Sequence, residues 1–289
     1  MWRGRLLVIA AAVLWSTSGF FAKAPIFSNW STESRGLLLA GWRSAFAALV
    51  LLFFVRQPRW SWRLLPMVGA FAVMNWTYLN ALVLCEPTLA IWLQYSAPAW
   101  VFIMGWLFFG EYPVRRDWLL LALAGAGVSV ILWAQWGDGS PAGLRYGIAS
   151  GWCFALVMAT LRWNREFEAT WLIFLNNATT ALLFLPAMFH DQIVPTPEQW
   201  VYLACFGVFQ FGIPYLLFAH GVRRVSGHEA SGLVLLEPIL VPLWVFVAWR
   251  HAADYQYPAA STLIGGGLIL CGLALRYWPW PTGHGTSLS

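Results

Sequence analysis

The chain has 289 residues, of which 60% are hydrophobic, 17% aromatic and only 10% charged, with a mean hydropathy of +0.64. Soluble domains carry about 25% charged residues, so a water-soluble enzyme, a nucleic-acid binder and a disordered chain are excluded. The net charge of +5 comes from one Lys and sixteen Arg scattered through short loops, not from a stripe that could track phosphates.

A membrane span needs about 20 apolar residues at ~1.5 Å rise each to cross ~30 Å of hydrocarbon. Ten such runs follow one another, near 5–24, 35–55, 64–84, 88–109, 117–135, 144–162, 169–189, 198–219, 228–249 and 258–278. The expected architecture is an all-α integral membrane protein of ten transmembrane helices. The first run reads as a retained helix and not as a signal peptide, because nine more spans follow. The four cysteines, Cys85, Cys153, Cys205 and Cys271, form no CxxC pair and read as packing residues.

The first span carries Trp15 at mid-depth, with Ser16 and Gly19 beside it. Trp normally sits at the interfaces; Trp30, Trp60, Trp62, Trp118, Trp200 and Trp278 read as belt or loop residues. Trp15 is too deep for that and reads as either a packing residue or a cavity wall. Arg43 lies mid-span in the second run. It could meet a substrate carboxylate, and a structural contact to a neighbouring helix end is the favoured reading. In the third span Asn75 and Tyr78 are three apart and share a helical face, while Asn80 points elsewhere.

The fourth span holds Trp92, Tyr95, Ser96 and Trp100, with Pro98 inside it. Proline removes a donor and loosens the helix, and a broken helix near the midplane can present backbone carbonyls to a polar substrate. Tyr95 is the preferred wall residue. The sixth span opens on Gly143, Gly147 and Gly151, a spacing that permits close helix packing. Trp163 closes it beside Arg162 and Arg165, either as an interfacial anchor or as a gate. In the eighth, Gln210 and Tyr215 flank Pro214, and His220 is close to its end. Glu237 lies mid-span in the ninth, followed by Pro238 and Pro242. A carboxylate there is costly to keep charged; it could carry a proton, pair with Arg43, bind a substrate ammonium, or be structural. Gly265 to Gly267 and Gly272 in the tenth read as packing glycines.

Orientation follows from Lys and Arg. With the N-terminus inside, the inner segments hold Arg3, Arg5, Arg56, Arg59, Arg63, Arg115, Arg116, Arg162, Arg165, Arg223, Arg224 and Arg276, against Lys23, Arg35, Arg145 and Arg250 outside. Both termini are therefore expected in the cytoplasm. At an offset of 140 residues, Asn80-Ala81-Leu82, Ala90 and Pro98 align with His220-Gly221-Val222, Ala230 and Pro238. Five spans per half is an odd number, so halves at 1–138 and 139–289 would insert in opposite senses as an inverted repeat.

Several stretches resemble the EamA type of the drug/metabolite transporter superfamily. They are Val13-Leu14-Trp15-Ser16, Ala97-Pro98 ahead of Leu107-Phe108-Phe109-Gly110-Glu111, Gly125-Ala126-Gly127, Leu236-Glu237-Pro238, and Gly265-Gly266-Gly267-Leu268-Ile269-Leu270-Cys271-Gly272. The resemblance covers nearly the whole chain. One departure is Arg250-His251, where the ninth helix of the family often ends in Gly-Glu. The resemblance implies a metabolite exporter of the bacterial inner membrane, with the YddG-type amino-acid exporters as one similar branch. The alternative within that fold is an exporter of drugs or cationic amphiphiles. An intramembrane enzyme is disfavoured because HExxH and GxSxG are both absent, and a channel because no ring of like charge is evident. No P-loop occurs, so ATP does not power transport on this chain.

The expected substrate-binding set is Trp15, Ser16, Asn75, Tyr78, Tyr95, Trp100, Trp163, Gln210 and Glu237. Neither cofactor nor metal nor nucleic acid is expected. The partners would be a small-molecule substrate and the lipid bilayer, and a monomer would suffice.

Overall fold

A computed structural model describes residues 2–109, 114–134, 140–190, 194–225, 227–252, 255 and 257–277. Gly110, Glu111 and Trp278, and the junction expected at 138–139, lie outside these residues. Every regular element among the described residues is a helix. Lipid offers no hydrogen bonds, so each apolar run must satisfy its own backbone.

In chain order the helices are α1 (Trp2–Trp15), α2 (Ser18–Ala22), α3 (Thr32–Leu52), α4 (Leu64–Leu84), α5 (Pro87–Gln94), α6 (Ala97–Phe109) and α7 (Arg115–Ala134). They continue as α8 (Pro141–Trp163), α9 (Ala169–His190), α10 (Pro197–Cys205), α11 (Ile213–Gly221), α12 (Gly227–Val234), α13 (Leu236–Trp249) and α14 (Ala260–Tyr277). A π-turn at Phe206–Gly212 joins α10 to α11. Nine runs among the described residues are long and apolar enough to cross a membrane. The remaining traverse, α5 with α6, is broken at Tyr95–Ser96 and is not among these nine.

The breaks have local causes. Pro98 and Pro238 both lack an N–H, and their rings exclude the carbonyls of residues 94 and 234 from helical bonding. The fourth and ninth spans therefore part at equivalent places, Tyr95–Ser96 and Leu235. At the first, the Ser96 hydroxyl donates to the Leu93 carbonyl at 2.6 Å. The break between α1 and α2 is bridged likewise by Ser16 to Val13 (2.6 Å) and Thr17 to Leu14 (2.7 Å). Pro214 sits just after the π-turn, where a widened loop of backbone absorbs its missing donor.

The helices that start on the face away from the arginine-rich loops are capped there. Ser31 accepts from the Glu33 N–H, Glu86 from Thr88 and Leu89, and Ser140 from Gly143, and Thr196 with Gln199 forms a capping box. Pro87, Pro141 and Pro197 occupy first helical positions, where no N–H is needed. Beside this face the short turn Pro25–Phe27 folds back and buries Trp30 against Phe27, 4.8 Å between ring centres. Trp30 is thus a loop residue as read, but a buried one, whereas Trp60, Trp62 and Trp118 are exposed.

The packing pairs have a regular pattern. α4 lies on α8 as α1 lies on α11; α3 meets the π-turn as α4 meets α9; α3 pairs with α9, and α7 with α14. Exchanging each span with the one five later converts this set into itself. Close approach depends on glycine. A Cβ on Gly127 would lie 2.3 Å from the Gly265 carbonyl oxygen, and one on Gly265 2.5 Å from that of Gly127. Gly147 and Gly151 sit against Leu93 and Ser96, so the glycine ladder of α8 packs within the fold, against the broken fourth span. Gly266 lies under the Trp92 indole, where a Cβ would fall 1.6 Å from the ring. Gly266→Ala is therefore expected to displace Trp92 and destabilise the protein by about 1–3 kcal/mol, read as a lower melting temperature in detergent; an unchanged melting curve would contradict this packing.

Candidate functional site

The breaks converge on a cavity of about 500 Å³ between the halves. Its inner wall holds Arg43, Tyr78, Gln94, Tyr95, Gln210 and Glu237. From there it runs along Leu161, Ile173, Phe218, Val222 and Tyr277, which lie at the ends of α8, α9, α11 and α14 beside the arginine-rich loops. The cavity therefore extends toward that face of the membrane.

The other face is shut by indoles of which three find acceptors, as buried Trp N–H groups generally do. Trp92 donates to the Pro238 carbonyl (3.2 Å), Trp244 to the Ser16 hydroxyl (2.8 Å) and Trp249 to the Phe20 carbonyl (2.8 Å). Phe20 stacks on Trp249 and Phe21 on Phe206, with ring centres 5.2 and 5.1 Å apart.

Arg43 is 1% exposed, at the middle of α3. Its guanidinium donates to Asn75 Oδ1 and to Gln210 Oε1 (3.3 Å). Asn75 in turn donates to Ser44 (2.7 Å), and Gln210 to the Trp15 carbonyl (3.0 Å). These bonds fix both amides with their oxygens toward Arg43. The Arg43 Cζ also lies 4.0 Å from the Phe211 ring centre and 5.0 Å from that of Phe206. A regular helix would put residues five apart about 140° around its axis. The π-turn brings Phe206, Gln210 and Phe211 round to one side. α3 can approach it because Gly207 has no side chain: a Cβ there would lie 2.6 Å from the Arg43 carbonyl oxygen.

Glu237, in the first turn of α13, accepts a hydrogen bond from the Tyr95 hydroxyl at 2.8 Å. The same hydroxyl lies 3.3 Å from the Val234 carbonyl, the one that Pro238 excludes from the helix. Tyr95 thus ties the break in the fourth span to the break in the ninth. Among the described residues, Arg5–Glu229, Arg63–Glu166 and Arg276–Asp117 form ion pairs toward the helix ends, and neither Arg43 nor Glu237 has an ionic partner. One cavity therefore presents a guanidinium and a carboxyl group that form no direct ion pair with each other.

Of the residues expected from sequence, Trp15, Tyr78, Tyr95, Gln210 and Glu237 line this cavity. Trp15 meets Tyr215 and Phe218 edge-on or tilted, at 5.1 and 5.3 Å between ring centres, and Tyr78 shares a hydrogen bond with Ser18 at 2.9 Å. Asn75 is fully buried and supports Arg43 from behind. Ser16 accepts the Trp244 indole on the closed side. Trp100 donates to Ser96 (3.2 Å) and packs edge-on against Trp152, outside the cavity lining. Trp163 is 56% exposed on the perimeter, where an interfacial anchor belongs. The favoured sequence reading of Arg43 as a contact to a helix end does not describe what is found: it is held by two side-chain amides and two rings, with its guanidinium in the cavity wall. Asn176 and Phe211 also line the cavity, and sequence reasoning passed over both. Asn176-Asn177 inside an apolar run was the available signal for the first.

A polytopic helical protein with a central, largely apolar cavity that holds a few buried polar groups and is closed on one side is built as a membrane transporter. The EamA-like transporter family profile matches the chain twice, over residues 2–133 and 141–278, and the chain belongs to that family. An uncharacterized transporter of Archaeoglobus fulgidus is 26% identical over 204 residues, covering 70% of this chain and 71% of that one. A solved crystal structure shares the fold with a TM-score of 0.62, over 94% of this chain and 96% of that chain at 20% identity.

Removing an acceptor from a buried charge costs about 1–3 kcal/mol or more. Asn75→Leu is accordingly expected to lower the melting temperature clearly, while Ser44→Ala lowers it less. Equal, negligible effects in detergent melts would show that Asn75 does not support Arg43.

Proposed function

We propose that this protein is a secondary transporter that exports small zwitterionic metabolites, amino acids foremost, by alternating access through the central cavity. The observation that carries this reading is the unpaired presence of Arg43 and Glu237 in one cavity. A guanidinium suits a carboxylate, and a carboxylate suits an ammonium. The rings of Trp15 and Tyr215 add faces that attract a cation.

The two halves, residues 1–138 and 139–289, act as inverted repeats. Support comes from the packing pairs that survive exchange of each span with its counterpart, and from the matched breaks at Pro98 and Pro238. The arginine-rich face is cytoplasmic by the positive-inside rule, which puts both termini in the cytoplasm of a bacterial inner-membrane protein. The cavity is then open inward, and a substrate loads from the cell interior. An ammonium arriving at Glu237 competes with the Tyr95 hydroxyl, the link between the two broken helices. Loosening that link gives substrate binding a route to the closed side, where Trp92 from the same helix is latched to Pro238. A single chain supplies both halves, so a monomer suffices.

The apolar outer part of the cavity also suits cationic amphiphiles, and Glu237 alone would serve them. Arg43 separates the two readings. In liposomes holding the purified protein, uptake of labelled leucine and phenylalanine is expected to saturate. Glu237→Gln and Arg43→Met are each expected to lower it on the order of ten- to a hundredfold, the worth of a charge-assisted hydrogen bond. Loss with Glu237→Gln but full uptake with a folded Arg43→Met would favour the amphiphile reading, and no saturable amino-acid uptake at all would overturn the proposal.

A further inference from the structure

We infer that Asn176 is a second recognition point in the cavity, one that selects substrates whose apolar side chain ends in a hydrogen-bonding group, such as the phenol of tyrosine or the indole of tryptophan. The inference rests on the zwitterion reading above, which supplies the anchored end of the substrate.

Asn176 lies in the second turn of α9, is 1% exposed and lines the cavity. Its neighbours use their polar atoms on their own helix: Asn177 Nδ2 donates to the Ile173 carbonyl (2.8 Å) and Thr180 to the Asn176 carbonyl (2.7 Å). The Asn176 side chain does not. Its Oδ1 is buried and has no hydrogen-bond partner among the described residues; Asn177 Oδ1 shares that lack, but Asn177 does not line the cavity. A buried amide in lipid-embedded protein is costly unless something completes it, and because Asn176 lines the cavity, a molecule bound there can complete it once the amide turns toward it.

Depth places this amide usefully. Asn176 is seven residues from the start of α9, roughly 10 Å from that end, and Arg43 nine residues from the end of α3, roughly 14 Å from the same face. Asn176 therefore stands a few ångströms nearer the mouth than the charged groups. The cavity wall around these depths is otherwise largely apolar, with Phe71, Met74, Val157 and Ile173 in its lining. A substrate held by its carboxylate and ammonium at Arg43 and Glu237 would run its side chain along this wall, with the tip at Asn176. An amide carries both a donor and an acceptor, so it can pair with a hydroxyl or a ring N–H. Phenylalanine would leave it unpaired, which is the basis of strong discrimination in sites built this way.

The test compares labelled L-tyrosine and L-phenylalanine in liposomes containing the full chain. Wild type is expected to favour tyrosine about three- to tenfold, the worth of one neutral hydrogen bond. Asn176→Leu should abolish or reverse that preference while phenylalanine uptake persists; Asn176→Ala is read the same way if the leucine variant does not fold. Asn177→Leu should keep the preference, although it too removes a buried amide. A wild type indifferent between the two substrates, or a folded Asn176 variant with the wild-type ratio, would overturn the inference. Failure of wild type to move either amino acid would instead overturn the zwitterion reading on which it stands.

Discussion

Arg43 is a cation buried near the middle of a membrane, and much of the surrounding structure can be understood as what makes that tolerable. A bare guanidinium at this depth is costly. Here two amide oxygens, from Asn75 and Gln210, and two aromatic faces, Phe206 and Phe211, share the charge without cancelling it. Supplying them draws on three spans at once. The π-turn aims Gln210 and Phe211, Gly207 lets α3 come close enough, and Asn75 is itself oriented by Ser44. A carboxylate partner would have been the simpler solution. Under the proposed function, its absence leaves the charge available to something that enters the cavity, together with Glu237.

Proline does the complementary work. Pro98 and Pro238 break two helices at matching depths, and the breaks expose hydrogen-bonding groups where a continuous helix would offer none. The Val234 carbonyl and the Glu237 carboxylate both face the Tyr95 hydroxyl. This places two helix breaks beside Glu237 and Tyr95. The closed side rests on a different kind of contact, indole N–H groups bonded to carbonyls and a serine, with large rings packed over glycine. Such contacts are few and discrete, which suits the opening and re-forming that the proposed alternating access requires of this wall.

Much of this was legible in the sequence because lipid enforces simple rules. Run length marked the spans, arginine placement marked a face, and Pro98, Pro238 and Glu237 stood out as costly residues at mid-depth. Tyr78, Tyr95 and Gln210 were found by the same reasoning. What stayed hidden depended on helix irregularity and on neighbours in space. The 3.6-residue period gives no warning of the π-turn, so Phe206, Gln210 and Phe211 could not be seen as one face, nor Arg43 as the group they surround. Trp100 and Trp163 satisfied the aromatic criterion, but one packs on Trp152 and the other faces outward. For Trp163 the flanking Arg162 and Arg165 already pointed to an interfacial anchor; for Trp100 nothing local separated it from Trp15. Asn176 was visible as a polar residue in an apolar run, while its unpaired oxygen could only be seen once the helices were in place.

The central claim is that opposite charges in the cavity recognise opposite charges on one molecule. Direct binding to the purified protein tests it, by titrating L-phenylalanine, phenethylamine and hydrocinnamate, which carry both charges, the ammonium alone and the carboxylate alone. The account predicts saturable binding of the amino acid, with each singly charged analogue weaker by about tenfold or more. Phenethylamine binding as tightly as phenylalanine would contradict it, leaving Arg43 without a part in recognition.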